Sequence, residues 1–112
     1  MGLTQRRRHP RARVDIRVDW GWRRGGEYNA RLSSLSVGGC FIQTEMGALR
    51  GQPIFIQMWL SPSTYAEIEG AVAYNLEKVG LGVEFTGIGD EDRKSIQQIV
   101  DFHLAKASEV VG

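Results

Sequence analysis

Apolar and polar side chains alternate along most of the chain, and this pattern predicts its strands. From Val14 to Trp20 every second residue is apolar, and the residues between them are charged. A period of two is typical of a half-buried strand, so the pattern predicts a strand over 12–22. The same alternation, beginning at Tyr28, predicts a second strand that ends near Leu35. Shorter apolar stretches, bounded by glycine, proline or polar residues, predict four more strands at 40–44, 53–60, 68–74 and 81–85.

The period changes near Asp90, where apolar residues begin to recur every three or four positions. Ile96, Val100 and Leu104 then share one side of a helix, and Asp90 is a suitable N-cap. We expect a helix over 90–109 whose apolar stripe packs on the sheet. The predicted fold is all-β with one C-terminal helix, namely a six-stranded antiparallel β-barrel capped by an amphipathic helix. A flexible basic arm over 1–11 precedes the barrel, which is expected to cover 12–89.

Length and composition limit what the chain can be. Its 112 residues suffice for one domain, and no apolar run approaches the ~20 residues of a membrane span. Cys40 is the only cysteine, so an internal disulfide is impossible, which favours a reducing, cytoplasmic location. The two histidines lie far apart, and Ser34 occupies the first glycine position of a Gly-x-Ser-x-Gly nucleophile motif. The sequence therefore predicts neither a metal site nor an enzyme.

Positive charge is concentrated near the N-terminus, although the net charge is only +1. Residues 1–31 contain nine arginines and three acids, whereas residues 32–112 contain five basic and ten acidic side chains. The densest part consists of Arg6, Arg7 and Arg8, which precede the helix-breaking Pro10, and of Arg11, which follows it. A guanidinium pairs bidentately with phosphate and with the O6/N7 edge of guanine. We expect the arm to bind a small purine-containing anion, because a long nucleic acid needs a whole basic face.

A second segment, residues 34–39, ends in two glycines that permit a close backbone approach. Together the two segments resemble the PilZ domain family, which carries an Arg-x-x-x-Arg element followed by an Asp/Asn-x-Ser-x-x-Gly element. Residues 7–11 match the first element in full, and Ser36 and Gly39 match the second. Residues 81–85, Leu-Gly-Val-Glu-Phe, are similar to the last strand of the family. The resemblance extends over nearly the whole chain and identifies one PilZ-like domain.

The resemblance implies a barrel that binds the bacterial second messenger cyclic di-GMP, which has two phosphates and two guanines. The ligand-binding residues that it implies are Arg6, Arg7, Arg8, Arg11, Ser34, Ser36, Gly38 and Gly39. In the family, the residue before the first element affects whether one ligand or a stacked pair is bound, and Arg6 holds that position. Ser34 replaces the acid or amide of the second element, so it lacks the charge with which an aspartate accepts hydrogen bonds from guanine. We therefore expect weaker binding rather than none.

The expected function is that of a cyclic di-GMP effector that changes conformation on binding and signals to a protein partner of unknown identity. No cofactor, DNA or membrane partner is expected. Two alternatives remain open. The domain could be a nucleotide-independent PilZ-type adaptor of a pilus or motility system, or a small barrel that binds single-stranded nucleic acid through the arm. The acidic balance of residues 32–112 argues against the last of these.

Overall fold

The computed structural model describes residues 9–111, with side chains described as far as residue 107. Six strands are followed by one helix, as the alternation predicted. The elements are β1 (Ala12–Gly21), β2 (Tyr28–Leu35), β3 (Gly39–Gln43), β4 (Pro53–Ser61), β5 (Thr64–Leu76), β6 (Gly80–Ile88) and α1 (Asp90–Val111).

The strands close into an antiparallel barrel in the order β1-β2-β3-β6-β5-β4. The predicted fold class, an all-β barrel with one C-terminal helix, is confirmed. Closure removes every free sheet edge. It also makes β3, β6 and β5 consecutive neighbours, which places the end of the second sequence motif beside two strands that follow it much later in the chain.

One apolar core fills the barrel and continues under the helix. Trp20, Leu32 and Met58 are fully buried inside the barrel, because alternate residues of a strand point to the same side. On α1, Ile96 and Val100 are buried at the predicted helical spacing. The carboxylate of Asp92 accepts a hydrogen bond from the Glu67 backbone N–H at 3.2 Å, which fixes the start of α1 against β5.

Strand β5 is longer than the sequence indicated, since it covers 13 residues where 68–74 were expected. Its register against β6 shifts between Glu69 and Gly70 and again between Val72 and Tyr74. Both shifts lie within the predicted segment, where burial still alternates. The residues that the prediction missed are the two ends of the strand, 64–67 and 75–76, where all side chains but that of Ala66 are exposed. The other bounds differ by three residues or fewer: β1 ends at Gly21, and α1 continues to Val111.

Few of the aromatic side chains lie fully inside the barrel core. Of the ten aromatic residues, Trp20 alone is fully buried, while Tyr74 is 41% exposed and Phe102 is 60% exposed. Close contacts with glycine explain two of the outer rings. A Cβ at Gly80 would lie 2.5 Å from Cε2 of Phe41, and a Cβ at Gly82 would lie 2.2 Å from Cε2 of Tyr74. These rings therefore cover glycines of β6 on the outside of the barrel.

Asp19 is a buried polar residue that the alternation assigned to the solvent side. It is 8% exposed and accepts hydrogen bonds from Nε1 of Trp59 at 2.8 Å and from Nδ2 of Asn29. The carboxylate thus joins β1 to β2 and β4, and its burial is offset by these donors.

Cys40 is expected to be chemically inert in the folded protein. Burial raises the pKa of its thiol from 9.0 to about 12, and the nearby Arg11 guanidinium opposes this only in part. At pH 8 the thiolate fraction is then about a thousandfold below that of an exposed cysteine. Labelling by a thiol reagent should be very slow without denaturant and fast in urea. Equal rates in the two conditions would contradict the burial.

The same shift has a consequence at alkaline pH. The unfolded thiol ionises near its ordinary value of 9.0, whereas the folded thiol stays protonated up to about 12. The unfolded chain therefore binds fewer protons across this window, and the contribution of Cys40 to stability falls as the pH rises through it.

Candidate functional site

A tight corner, residues 36–39, connects β2 to β3 and forms the centre of the site. The Ser36 N–H donates to the Gly39 carbonyl at 2.8 Å. The Ser36 hydroxyl oxygen accepts from the backbone N–H groups of Gly38 and Gly39, each at 3.1 Å. Ser36 is 4% exposed, so its hydroxyl holds the corner in shape.

The corner lies directly against β6, and this contact explains its last glycine. A Cβ at Gly39 would lie 2.3 Å from the carbonyl oxygen of Val83, a distance that no side chain can occupy. The Gly38 carbonyl accepts a hydrogen bond from the Phe85 N–H at 2.9 Å. Both glycines are therefore held to the strand that the closed barrel places next to β3.

The end of the basic arm lies on the other side of the same corner. A Cβ at Gly38 would lie 2.7 Å from Cδ2 of His9, so the imidazole packs over this glycine. Nη1 of Arg11 donates to the Ser34 hydroxyl at 3.4 Å. Two predicted ligand-binding residues, Arg11 and Ser34, are thus in contact with each other. Three others, Arg6, Arg7 and Arg8, lie outside the described residues.

An open groove of about 780 Å³ lies between the arm, the corner and the start of the helix. Its volume falls within the range of about 300–1,000 Å³ that is usual for small-molecule sites. The groove crosses the neighbouring strands β3, β6 and β5. Its lining comes from His9 and Arg11, the corner 36–39, Arg50, residues 73–74, residues 83–85 and Arg93. Ser34 contacts Arg11 but does not line the groove.

Three guanidinium groups that line the groove have no carboxylate partner among the side chains described. They belong to Arg11, Arg50 and Arg93. Elsewhere on the barrel, Arg17, Arg24 and Arg31 each pair with a carboxylate. Unpaired positive charges that converge on a cleft raise its potential and attract anions. The groove is therefore suited to a ligand with more than one negative charge.

Arg50 and Arg93 are groove residues that the sequence motifs did not indicate. Arg50 precedes Gly51, whose N–H donates to the Val72 carbonyl of β5 at 2.7 Å and whose φ is 89°. This turn holds Arg50 beside the groove. Arg93 follows Asp92, which is bonded to β5. Neither arginine belongs to a recognisable sequence motif. Arg50 reaches the groove because the barrel closes, and Arg93 reaches it because the helix packs on the barrel.

Among the side chains of residues 9–107, no group of three or more histidine, cysteine, aspartate or glutamate residues could hold a metal ion. In the same part of the chain, no helix combines the length and the apolar character that crossing a membrane requires.

Comparison with known proteins gives one family. The model of the PilZ domain matches residues 5–102. No curated protein sequence matches the chain.

Solved structures with the same fold have low sequence identity to this chain. The Bacillus subtilis inhibitor of motility, MotI/DgrA, superposes with a TM-score of 0.79 at 18% identity, covering 91% of this chain and 53% of that one. The PilZ domain of Escherichia coli YcgR with c-di-GMP gives 0.69 at 17% identity, covering 96% and 98%. The K. pneumonia MrkH–c-di-GMP complex gives 0.69 at 19% identity, covering 93% and 54%. The chain thus spans about half of MotI and MrkH and nearly all of the YcgR domain.

Proposed function

This chain belongs to the PilZ domain family, and on that premise we propose that it binds cyclic di-GMP in the groove beside the 36–39 corner. The observation that carries the proposal is the convergence of three guanidinium groups on one groove. They belong to Arg11, Arg50 and Arg93, none of which has a carboxylate partner among the described side chains. The ligand brings two phosphates and two guanines. A guanidinium recognises the phosphates and the O6/N7 edge of guanine with the same planar donor set.

The corner and the arm provide the rest of the proposed site. Arg11 lies on the groove, and Arg7 completes the Arg-x-x-x-Arg element with it. Arg6 and Arg8 would add charge, which would favour a stacked pair of ligands over a single one. Gly38 and Gly39 line the groove without side chains of their own, so the ligand can approach the backbone of the corner closely. Ser36 acts by shaping the corner, and Ser34 acts through its contact with Arg11.

The experiment that tests this function is isothermal titration calorimetry of the native chain with cyclic di-GMP. We expect saturable binding with a stoichiometry of one or two. Repeating the titration at several salt concentrations separates the dinucleotide from a polyanion. Binding of a single-stranded oligonucleotide would show a steep salt dependence, because the protein would neutralise many of its phosphates, whereas binding of the dinucleotide would show a shallow one. If the titration with cyclic di-GMP shows no saturable binding, the proposal is contradicted and the nucleotide-independent adaptor is favoured.

Arg50→Gln and Arg93→Gln should each weaken cyclic di-GMP binding by about tenfold, since each removes one charge-assisted contact worth about 1.5 kcal/mol. Arg23→Gln is the matched control. Arg23 is exposed, has no carboxylate partner among the described side chains and lies in the β1–β2 turn, away from the groove. An equal loss of affinity in all three variants would show that net charge, and not the groove, governs binding.

We also propose that binding alters the surface that the arm presents to a protein partner. Because His9 packs on Gly38, a ligand in the groove would contact the arm and the corner at once. Fixing a backbone residue costs about 1–2 kcal/mol, which the ligand contacts would have to supply. Regulation of motility or biofilm formation fits this proposal, since the similar B. subtilis protein is an inhibitor of motility.

A further inference from the structure

Glu84 is the one carboxylate among the described residues that line the groove. It lies on β6, where its register partners are Gly39 of the corner and Ala71 of β5. Its side chain is exposed and forms no ion pair with Arg11, Arg50 or Arg93, although all of these line the same groove. Among the described side chains, a carboxylate without an ion-pair partner thus lines the same groove as three guanidinium groups.

A carboxylate in this position opposes the binding of any phosphate, because like charges repel across a shared cleft. The repulsion is offset only where the ligand also offers hydrogen-bond donors. Guanine does so, because its Watson–Crick edge carries N1–H and the N2 amine side by side. These two donors match the two oxygens of a carboxylate, which accepts and never donates when ionised.

The groove therefore carries a complement for each edge of one guanine. Arginine donors suit the O6 and N7 acceptors, and a carboxylate suits the N1 and N2 donors. Ser34 does not supply this carboxylate, since it is uncharged, lies outside the groove lining and accepts from Arg11. Within the described residues, Glu84 is the only groove side chain with the required charge.

We propose that Glu84 binds the Watson–Crick edge of a guanine and thereby makes the site specific for that base. This inference rests on the proposed function, because it assumes a guanine nucleotide in the groove. It adds a specificity-determining residue that lies outside both sequence motifs.

The test combines Glu84→Ala with a ligand that lacks one donor. Cyclic di-IMP carries hypoxanthine, which differs from guanine only in having no N2 amine. Calorimetry of native and variant protein with both ligands forms a thermodynamic cycle whose coupling isolates the contact between Glu84 and the amine. We expect the native protein to prefer cyclic di-GMP by about tenfold, within the range of a bidentate base contact. In the variant, cyclic di-GMP should bind about tenfold more weakly and the preference should nearly vanish.

The sign of the change separates this role from a bystander charge. If Glu84 were only a solvated acid, its removal would leave the affinity for an anionic ligand unchanged or raise it. Glu77→Ala is the matched control, since Glu77 is exposed in the β5–β6 turn outside the groove and has no ion pair among the described side chains. It should bind both ligands as the native protein does. Thermal melting of each variant checks that the barrel is folded.

The possible outcomes distinguish this inference from the function beneath it. Native binding of cyclic di-GMP with no coupling between Glu84 and the N2 amine would overturn the role of Glu84 alone. A tighter binding of cyclic di-GMP by Glu84→Ala would do the same. Failure of the native protein to bind either ligand would overturn the proposed function and this inference together.

Discussion

Arg11→Ala is expected to reduce the affinity for cyclic di-GMP by about a hundredfold while leaving the barrel folded. The guanidinium lines the groove, has no carboxylate partner among the described residues, and is oriented by the Ser34 hydroxyl at 3.4 Å. A bidentate contact with phosphate or guanine comprises two charge-assisted hydrogen bonds. At about 1.5 kcal/mol each, their loss amounts to about 3 kcal/mol, or roughly a hundredfold in the dissociation constant.

Two further variants show whether charge or geometry at position 11 matters. Arg11→Lys keeps the positive charge but loses the planar fork, so it should recover only part of the affinity. Arg13→Ala removes an exposed arginine two residues further along the chain, outside the groove, and should change binding little. Calorimetry gives the affinities, and thermal melting checks the fold. Native-like binding by Arg11→Ala would mean that the ligand does not occupy this groove.

The same loss is expected for Arg7→Ala, because Arg7 and Arg11 together form the Arg-x-x-x-Arg element. Arg7 lies outside the described residues, so this expectation rests on the sequence element alone. Comparing the two variants shows whether both arginines of the element act on one ligand. If Arg7→Ala retains full affinity while Arg11→Ala does not, the arginines that line the groove suffice without Arg7.

The fold could be predicted from sequence wherever one physical rule governs a whole element. In β1, exposed side chains alternate with buried or half-buried ones from Ala12 to Val18 because the strand has a period of two. In α1, Ile96 and Val100 are buried because the helix has a period near four. The prediction was incomplete at β5, because the ends of this strand are mostly exposed and carry too little alternation to mark them. It also missed Asp19, because a buried carboxylate depends on donors from Asn29 and Trp59, which are distant in sequence.

The candidate site divides in a similar way. Short motifs revealed the corner, since the Ser36 hydroxyl accepts from the N–H groups of Gly38 and Gly39 within four consecutive residues. Arg50, Arg93 and Glu84 had no such signal. They reach the groove from a loop, the helix and β6, and only the closed barrel brings these elements together. Contacts created by closure are not encoded in any one segment, so the motifs of a single sequence do not reveal them.

Gly39→Ala should destabilise the barrel strongly, whereas Gly38→Ala should leave its stability nearly unchanged. The two glycines are adjacent, but a new Cβ meets different obstacles. At Gly39 it would lie 2.3 Å from the backbone oxygen of Val83, which β6 holds in place through its pairing with β3 and β5. At Gly38 it would lie 2.7 Å from the imidazole of His9, an exposed side chain that can turn away.

The difference can be measured by thermal melting of the two variants. Relieving the contact at position 39 requires β3 and β6 to separate, and such overpacking costs about 3 kcal/mol. In a domain of this size that loss lowers the melting temperature by on the order of 10 °C. Gly38→Ala should melt within a few degrees of the native protein, because only the arm has to move. Similar melting temperatures for the two alanine variants would show that the contact with Val83 is not what requires glycine at position 39.

Ligand binding by the same pair then separates stability from recognition. In the folded Gly38→Ala protein, a displaced His9 no longer covers the corner, so cyclic di-GMP should bind severalfold more weakly although the barrel is intact. This outcome would place the recognition defect in the arm, because a Cβ at position 38 would meet His9 and would not touch Val83 or Phe85. Unchanged affinity in Gly38→Ala would mean that the contact between His9 and the corner is dispensable and that the ligand is held by the groove arginines alone.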